Sequence, residues 1–490
     1  MVLKKTVYSL LGTLLTSATF LAQAQAPAPA EIKIGVVTFL SGPAASPFGV
    51  PARNAAELMI EKFNAGAVPA PYNQKGIGGA PIKMVLIDES GTSTSVVTEY
   101  RNLVQREKVD LVVGYISSGN CLAVAPVAEE LKTITMLFDC GTPRIFEEGK
   151  KDYVFRASNH ATADSVGAAL YLKSIKPNIK NYGGINQNYA WGQDSWKDFD
   201  GAMKVLFPQS KVTTSQMPKL FAGQYNAEIS ALMSSKSDVV HTSFWSGDLE
   251  AFILQSVPRG LYKSSTVVLT TGETAMYRLA SKIPDGTVIG ARGPYGVLAP
   301  KSALNDWYRE NFTDRYNTPP NYAAYQMTHS LMAVKLAWEK AQAANNGARP
   351  TADQVAAAMR GMSYEGPGGV HKFALGNGHQ AVSETAYGRT KLVKGQMTIV
   401  DVKRFPAEQV MPPEGLKSEE WIAKGMKSDE WLAKNSRVTI YHLIVCFLYF
   451  FYNHLVLNIL FYKDSLLFFQ YLNRFLHLLH LRYHHLVCTL

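Results

Sequence analysis

The stretch that decides the predicted fold is LVVGYISSGNCLAVAPVAEELKTITMLFDCGTP, residues 111–143. It contains two apolar runs, Leu111 to Tyr115 and Thr133 to Phe138, which have the length of buried strands. The segment between them, from about Ala123 to Leu131, has the composition of a helix. A strand, a helix and a second strand in succession indicate a βαβ unit, in which the two strands are parallel.

The same alternation continues on both sides of this stretch. Ile32 to Phe39 and Ile82 to Ile87 predict two earlier strands of the same array. A second array of similar size follows, with strands predicted at Asn181 to Ile185, Lys211 to Ser215, Val239 to Ser243 and Val267 to Thr270. Two successive βα arrays predict two α/β lobes. A long helix near Tyr322 to Ala344 comes late in the chain and is expected to pack on one of them.

Small and hydroxyl-bearing residues follow two neighbouring strands of the first array. Ser117 and Ser118 come after the strand that begins at Leu111, and Gly141 and Thr142 come after the next strand. Ligands of open parallel sheets bind beyond the carboxyl ends of the strands. Hydroxyls and free N–H groups at a helix start suit a carboxylate. Ordinary helix capping is the simpler explanation of either loop alone, but two such loops on adjacent strands strengthen the case for a binding site.

Composition and motifs exclude several other classes. Of 490 residues, 47% are hydrophobic and 18% are charged, which predicts a folded body and not a disordered chain. The formal net charge is +10 without a dense Lys/Arg run, so nucleic acid is not an expected partner. The sequence has no nucleophile elbow, phosphate-binding loop or zinc-protease motif, and the histidines of the body are dispersed. We therefore expect a binding protein with no enzymatic activity, no metal and no cofactor.

Several ordered motifs carry a family resemblance. They include IKIGVVTFLSGPAASPFG (32–49), NYGGINQNYAWGQDSW (181–196), PDGTVIGARG (284–293) and YAAYQMTHSLMAVKLAWEKA (322–341). With these motifs the body, from about Glu31 to Val400, resembles the periplasmic solute-binding proteins of ABC transporters, specifically the branched-chain amino acid (leucine/isoleucine/valine-binding) type. The resemblance implies the type I periplasmic binding protein fold, an α/β fold of two Rossmann-like lobes joined by three crossover strands. It places the N-terminal lobe at 31–156 plus 286–364 and the C-terminal lobe at 157–285 plus 365–405.

The resemblance also implies a ligand clamped between the lobes. The family's carboxylate-binding loops match Ser117, Ser118, Gly141 and Thr142, and its ammonium-binding acid matches Glu273. Four aromatic residues are candidates for the walls of the site, although each is equally consistent with lobe packing: Phe48, Tyr189, Trp191 and Trp245.

Departures from the family pattern leave the solute open. Asp139 and Cys140 are more polar than expected before the Thr142 loop, and residues 186–191 carry bulky aromatics. An amino acid or a related small carboxylate is therefore expected, with an aromatic or other organic acid as the alternative. The implied role is a receptor that delivers its solute to the permease of an ABC importer, and the alternative is the ligand-sensing domain of a signalling system.

Cys121 and Cys140 flank the proposed carboxylate site. Their spacing fits no zinc pattern. In an exported protein they would form either a disulfide or two buried thiols, and the sequence leaves both open.

The two ends of the chain differ from the body. Residues 1–24, with Lys4 and Lys5 before an apolar stretch, predict a signal peptide and hence a periplasmic protein. Residues 406–435 contain a near-repeat, KSEEWIAKG then KSDEWLAKN, in which Ser418 and Ser428 could cap helices of a surface extension. Residues 436–490 form a hydrophobic tail in which 438–462 is long enough to span a bilayer. Three interpretations of this tail stay open: a membrane anchor, a non-native extension and a buried helical domain.

Overall fold

The structure is a computed structural model that describes residues 31–427. The predicted signal peptide at 1–24 and the hydrophobic tail at 436–490 lie outside these residues, and the predicted extension at 406–435 is described as far as Lys427. Among residues 31–427, no helix combines the length and the apolar character that crossing a bilayer requires.

The first lobe is built on an eight-stranded mixed sheet. Its parallel part contains the strands predicted from the sequence, and near one edge Gly369–Leu375 runs antiparallel to both of its neighbours. In spatial order the strands are Ser363–Gly366, Gly369–Leu375, Gln380–Val382, Val154–Arg156, Thr135–Leu137, Leu111–Gly114, Ile32–Thr38 and Ile82–Asp88.

The second lobe is built on a seven-stranded mixed sheet. All four strands predicted for the second array are present, within one residue of their expected bounds. In spatial order the strands are Gln396–Phe405, Thr385–Val393, Val288–Gly290, Thr266–Leu269, Val239–Thr242, Asn181–Ile185 and Lys211–Gln216. The expected fold class, two α/β lobes, is confirmed.

The chain passes between the two sheets three times. It leaves the first sheet after Arg156, returns after Gly290 and leaves again after Val382. The second and third passages come later than the predicted lobe bounds at 286 and 365. Val288–Gly290 still pairs within the second sheet, and Gly369–Leu375 pairs within the first.

Helices cover the sheets. The longest, Tyr322–Ala344, is buried along most of its length and belongs to the core of the first lobe. Asn321 begins it by accepting a hydrogen bond from the N–H of Ala324. The other helices of eight or more residues are Val50–Ala65, Ser93–Gln105, Ser118–Glu130, Ala161–Ile175, Ala190–Leu206, Asn226–Ser235, Ser246–Ser256, Ala303–Tyr316 and Ala352–Met359. Shorter helices are Arg144–Glu147, Leu261–Ser264, Glu273–Leu279, Ala407–Val410 and Ser418–Ala423.

The segment after the second sheet packs into the body and is not the surface extension that its polar composition predicts. Ser418 and Trp421 are both buried. The hydroxyl of Ser418 donates to Glu147 Oε1 at 2.5 Å, in the first lobe. Ser418 Oγ also lies 2.7 Å from Thr162 Oγ1, in the second lobe. Ser418 therefore contacts both lobes. Ser428, the other predicted cap, lies outside the described residues.

Candidate functional site

A small cavity of about 10 Å³ lies between the two lobes, beyond the carboxyl ends of both sheets. Most of its lining residues directly follow a strand, which is where ligands of parallel sheets are found. The lining residues of this interlobe cavity are Phe48, Ile116, Ser118, Asp139, Gly141, Tyr189, Trp191, Trp245, Thr271, Arg292 and Tyr322.

Ser118 and Gly141 form the polar wall on the side of the first lobe. Ser118 opens the helix Ser118–Glu130, and its Oγ accepts hydrogen bonds from the backbone N–H groups of Gly141 and Thr142, both at 3.2 Å. Gly141 has to be a glycine, since a Cβ here would collide with the ring of Trp191 and lie 2.6 Å from Arg292 Nη2. The two loops predicted from the sequence thus meet at the cavity.

A buried carboxylate and a disulfide hold these loops in place. The buried carboxylate of Glu89 accepts hydrogen bonds from the N–H groups of Ile116 and Ser117, both at 2.8 Å. Burial raises the pKa of Glu89 to about 8, against the opposing effect of these N–H donors. Cys121 and Cys140 are joined in a disulfide, which connects the helix after one loop to the loop after the next strand.

Two of the predicted carboxylate ligands do not line the interlobe cavity. The hydroxyl of Thr142 donates to Asp194 Oδ2 at 2.7 Å and is occupied by that contact. Ser117 lines a separate, larger cavity of about 510 Å³, together with Phe39 and Phe221.

The four predicted aromatic residues all line the interlobe cavity. The ring of Phe48, in the first lobe, lies 5.3 Å from that of Trp245 in the second lobe and 5.2 Å from that of Tyr322. The indole N–H of Trp245 donates to the Tyr189 hydroxyl at 2.8 Å. The indole N–H of Trp191 donates to the backbone oxygen of Ser243, also at 2.8 Å. These hydrogen bonds fix the orientation of the rings.

Arg292, which lines the cavity, is the centre of a buried ion cluster. Its guanidinium lies 4.5 Å from the centre of the Trp191 ring and donates to Asp139, to Asp164 Oδ2 at 3.2 Å and to the backbone oxygen of Asn159 at 3.1 Å. Burial raises the pKa of Asp139 to about 6 and that of Asp164 to about 7, although Arg292 acts in the opposite direction on both.

Glu273 is buried and does not line the interlobe cavity. Its Oε1 accepts from the Tyr277 hydroxyl at 2.7 Å, and its Oε2 accepts from the backbone N–H of Tyr322 at 2.9 Å. The carboxylate therefore sits at the start of the helix Tyr322–Ala344. Burial raises the pKa of Glu273 to about 7. Its predicted contact with an ammonium group stays a prediction.

The lobes are closed on each other around the cavity. Arg144 of the first lobe pairs with Asp194 of the second, with 2.7 Å between Nη2 and Oδ1. The guanidinium of Arg278 donates to the Ser46 hydroxyl at 2.6 Å, again from one lobe to the other. These two contacts hold the lobes together beside the cavity.

Sequence reasoning did not single out Arg292, Tyr322, Thr271 or Glu89, and it noted Asp139 only as a departure from the family pattern. One signal was available for Arg292, which comes two residues after the short apolar strand Val288–Gly290. A charged residue there requires a buried partner of opposite sign. Within residues 31–427, no three His, Cys, Asp or Glu side chains come together in a way that could hold a metal ion.

Both lobes of the chain match a known protein family. The family model described as periplasmic binding protein matches residues 31–396. No curated protein sequence matches the chain.

Solved structures share the fold at low sequence identity. One is the solute-binding protein of an ABC transporter from Rhodopseudomonas palustris BisB5 in complex with 3,4-dihydroxybenzoic acid, with a TM-score of 0.66 and 21% identity over 77% of this chain and 98% of that one. A solute-binding protein from R. palustris in complex with benzoate has a TM-score of 0.66 and 19% identity over 79% and 99% of the two chains. The closed leucine-, isoleucine-, valine-, threonine- and alanine-binding protein from Brucella ovis has a TM-score of 0.63 and 17% identity over 78% and 97%.

The family model covers well over half of the chain, and the two-lobed fold agrees with that of the solved structures. The chain belongs to the periplasmic binding protein family, a family of binding proteins and not of enzymes.

Proposed function

We propose that this protein is an extracytoplasmic receptor that binds a compact aromatic carboxylic acid between its lobes and delivers it to an ABC importer. Membership of the periplasmic binding protein family supports the receptor role. The observation that carries the choice of solute is the composition of the interlobe cavity, which five aromatic rings line and from which Glu273 is absent.

The lining of the cavity suits an aromatic ring. At about 10 Å³ the cavity of the closed form has room for little more than a water molecule, so a solute has to bind while the lobes are apart and displace lining side chains. The rings of Phe48, Trp191, Trp245 and Tyr322 offer faces and edges for stacking against an aromatic solute. A branched aliphatic side chain would gain burial here but not these stacking contacts.

In this proposal the carboxylate of the solute binds at Ser118. The Ser118 hydroxyl can donate to it, and the free N–H groups of the first turn of Ser118–Glu130 favour a negative charge. The N–H groups of Gly141 and Thr142 now donate to Ser118 Oγ at 3.2 Å, a long distance that an ionised acceptor would improve upon.

A solute in this position contacts both lobes. Ser118 and Phe48 belong to the first lobe, and Trp191 and Trp245 belong to the second. A ligand that bridges the two lobes stabilises the closed form relative to the open one, which is how such a clamp couples binding to recognition by a permease.

A leucine-type amino acid is the competing solute. Its ammonium group requires acceptors, and Asp139 is the one acid among the described residues that line the cavity. Because Asp139 is already paired with Arg292, its attraction for a second cation is reduced.

Isothermal titration with benzoate, cyclohexanecarboxylate, leucine and phenylalanine tests the proposal. We expect benzoate to bind with a Kd near 1 μM, about −8 kcal/mol, and leucine to bind at least a hundredfold more weakly. Ser118→Ala should weaken benzoate binding about tenfold or more, because a hydrogen bond to a charged group is lost. Ser117→Ala is the matched control, since this neighbouring serine lies outside the interlobe cavity. Tight binding of leucine with no binding of benzoate would contradict the proposal.

A further inference from the structure

Glu89 is a fully buried acid that contacts the loop and the helix of the proposed carboxylate site. Its Oε1 accepts hydrogen bonds from the backbone N–H of Ser117 at 2.8 Å and from Asn120 Nδ2 at 3.1 Å. Its Oε2 accepts from the backbone N–H of Ile116 at 2.8 Å. All of these donors are neutral, and no Lys, Arg or His of the described residues forms an ion pair with it. Charge on a buried carboxylate without a cationic partner is costly, which favours the protonated form.

The same helix start would hold two anions once the solute is bound. In the proposed complex the solute carboxylate contacts Ser118 Oγ and the free N–H groups of the first turn of Ser118–Glu130. The donors to Glu89 are the two residues before this turn and a side chain within it. Both carboxylates therefore draw on donors from one run of consecutive residues, 116–120. Like charges at such close range disfavour each other, and protonation of Glu89 removes the repulsion.

Titratable groups on neighbouring elements also interact with Glu89. Asp139, after the next strand of the first sheet, adds negative charge but is paired with Arg292, and burial raises its pKa only to about 6. The other two groups are Tyr115, which follows the strand before it, and Tyr189 of the second lobe. Burial raises the pKa of both tyrosines well above the usual value, so both stay uncharged at neutral pH. Between pH 7 and pH 9, Glu89 is therefore the group of this set whose charge changes.

We propose that Glu89 is a positioning residue that couples solute binding to proton uptake, because it becomes protonated when a carboxylate binds at Ser118. This inference rests on the part of the proposed function that places a carboxylate at Ser118. It applies to an aromatic acid and to an amino acid alike, since both carry that group.

The direction of the pH dependence follows from the charge of the solute. Burial raises the pKa of Glu89 to about 8 in the free protein, against the opposing effect of its hydrogen bonds. A bound anion raises this pKa further, so the complex holds the proton more tightly than the free protein does. Affinity is therefore highest below about pH 8 and falls as the pH rises through that value.

Calorimetric titration of benzoate into the full-length protein measures the proton uptake. Tris and HEPES have different heats of ionisation, so a difference between the binding enthalpies in these buffers at pH 8 counts the protons taken up. We expect roughly half a proton per benzoate, and a Kd that rises at least about threefold from pH 7 to pH 9. Benzoate itself stays ionised over this range, because an ordinary carboxyl group titrates near pH 4.

Glu89→Gln assigns the proton to this residue. The variant is a neutral mimic of the protonated acid whose amide oxygen can still accept from the loop. We expect no proton uptake and a Kd that is constant between pH 7 and pH 9. If Glu89 acted only as a structural brace, the variant would bind more weakly by the same factor at both pH values and would keep the uptake of the unmodified protein.

Asp88→Asn is the matched control, since it removes the neighbouring acid of the same chain segment. Although burial acts in the opposite direction, hydrogen bonds from Ser41 and from backbone N–H groups lower the pKa of Asp88 to about 2. Asp88 is thus ionised at every pH of the experiment, and its variant should keep the proton uptake. Thermal unfolding of each variant without ligand shows whether it is folded.

The outcomes separate this inference from the proposed function. If benzoate binds to the unmodified protein with no proton uptake and with the same Kd at pH 7 and pH 9, the inference is overturned and the receptor for aromatic acids stands. That measurement needs no variant. Uptake that persists in a folded Glu89→Gln variant and disappears in Asp139→Asn also overturns it. If only leucine binds, the choice of an aromatic solute fails, and the same titration at pH 8 with leucine tests the coupling. If no carboxylate binds, the proposed function and the inference fail together.

Discussion

The hydroxyl of Thr142 donates to Asp194 Oδ2 across the gap between the lobes, with 2.7 Å between the two oxygens. Arg144 approaches the other carboxylate oxygen of Asp194, with its Nη2 at 2.7 Å and its Nε at 3.0 Å. Thr142 and Arg144 follow a strand of the first sheet, whereas Asp194 lies on the helix Ala190–Leu206 of the second lobe. The contact therefore links clamp closure to the loop that carries Gly141.

Replacing Asp194 with Asn should favour the open clamp. The Asp194→Asn variant loses the charge that pairs with Arg144, so closing the cleft yields less free energy. We expect solute affinity to fall about tenfold, and small-angle scattering without ligand to show a larger radius of gyration. Asp200→Asn is the matched control because Asp200 lies on the same helix but pairs within its own lobe, with Lys204 at 2.6 Å. Equal affinity losses in the two variants would refute a role in closure.

The disulfide should contribute mainly to the stability of the first lobe. Cys121 and Cys140 are 19 residues apart and both fully buried. A crosslink that closes a loop of this length restricts the unfolded chain and contributes about 3 kcal/mol. The double variant Cys121→Ala/Cys140→Ala should lose that amount in urea denaturation. Cys446→Ala/Cys488→Ala, which changes the other two cysteines, is the control. Identical unfolding midpoints for the unmodified protein with and without dithiothreitol would contradict the prediction.

Ser418 should behave as a core residue in spite of its position near the end of the body. Its hydroxyl and its backbone N–H both donate to Glu147 Oε1, at 2.5 and 2.9 Å. Because Glu147 is largely buried, Ser418→Ala removes a donor that the carboxylate cannot replace from solvent. We expect a loss of about 1–3 kcal/mol in the free energy of unfolding. Ser93→Ala, at the exposed first residue of another helix, should change it by less than about 0.5 kcal/mol. Similar losses in the two variants would show that the Ser418 contacts contribute little.

Local patterns were enough to predict the strands and the loops that follow them. The run Leu111 to Tyr115 is continuously apolar, and the observed strand is Leu111–Gly114. Since the carboxyl ends of parallel strands meet at one edge of a sheet, the sequence also placed Ser118 and Gly141 near each other. The structure brings them within one hydrogen bond, from the Gly141 N–H to Ser118 Oγ.

Local sequence patterns could not predict which residues from distant segments of the chain contact each other. Arg292 meets Asp139 across 153 positions of sequence and Asp164 across 128, and neither spacing has a periodicity that could reveal it. Glu273 follows a strand, as a ligand-binding acid would. Its surroundings depend on where Tyr322 and the helix it begins are packed, 49 residues later. The carboxylate accepts from the N–H of Tyr322 and does not line the cavity.

Glu273→Gln should change the pH dependence of stability more than the affinity for an aromatic acid. Burial raises the pKa of Glu273 from an ordinary 4.5 to about 7 in the folded protein. The folded state therefore binds this proton more tightly than the unfolded chain does. Its contribution to stability is complete below about pH 4.5 and is lost as the pH rises through 7. The amide of the Glu273→Gln variant does not titrate, so the stability of the unmodified protein relative to the variant should fall by a few kcal/mol between pH 5 and pH 8.

Urea denaturation of both proteins at pH 5, 6, 7 and 8 measures this difference. Taking the difference matters because burial also raises the pKa values of Asp139, Asp164 and Glu89, and their contributions cancel in it. Benzoate affinity should change less than about threefold, since Glu273 is held by Tyr277 and Tyr322 and does not line the interlobe cavity. A stability difference that is constant over this pH range would show that Glu273 stays ionised in the folded protein. A selective loss of leucine binding would instead assign it to the ammonium group of an amino acid.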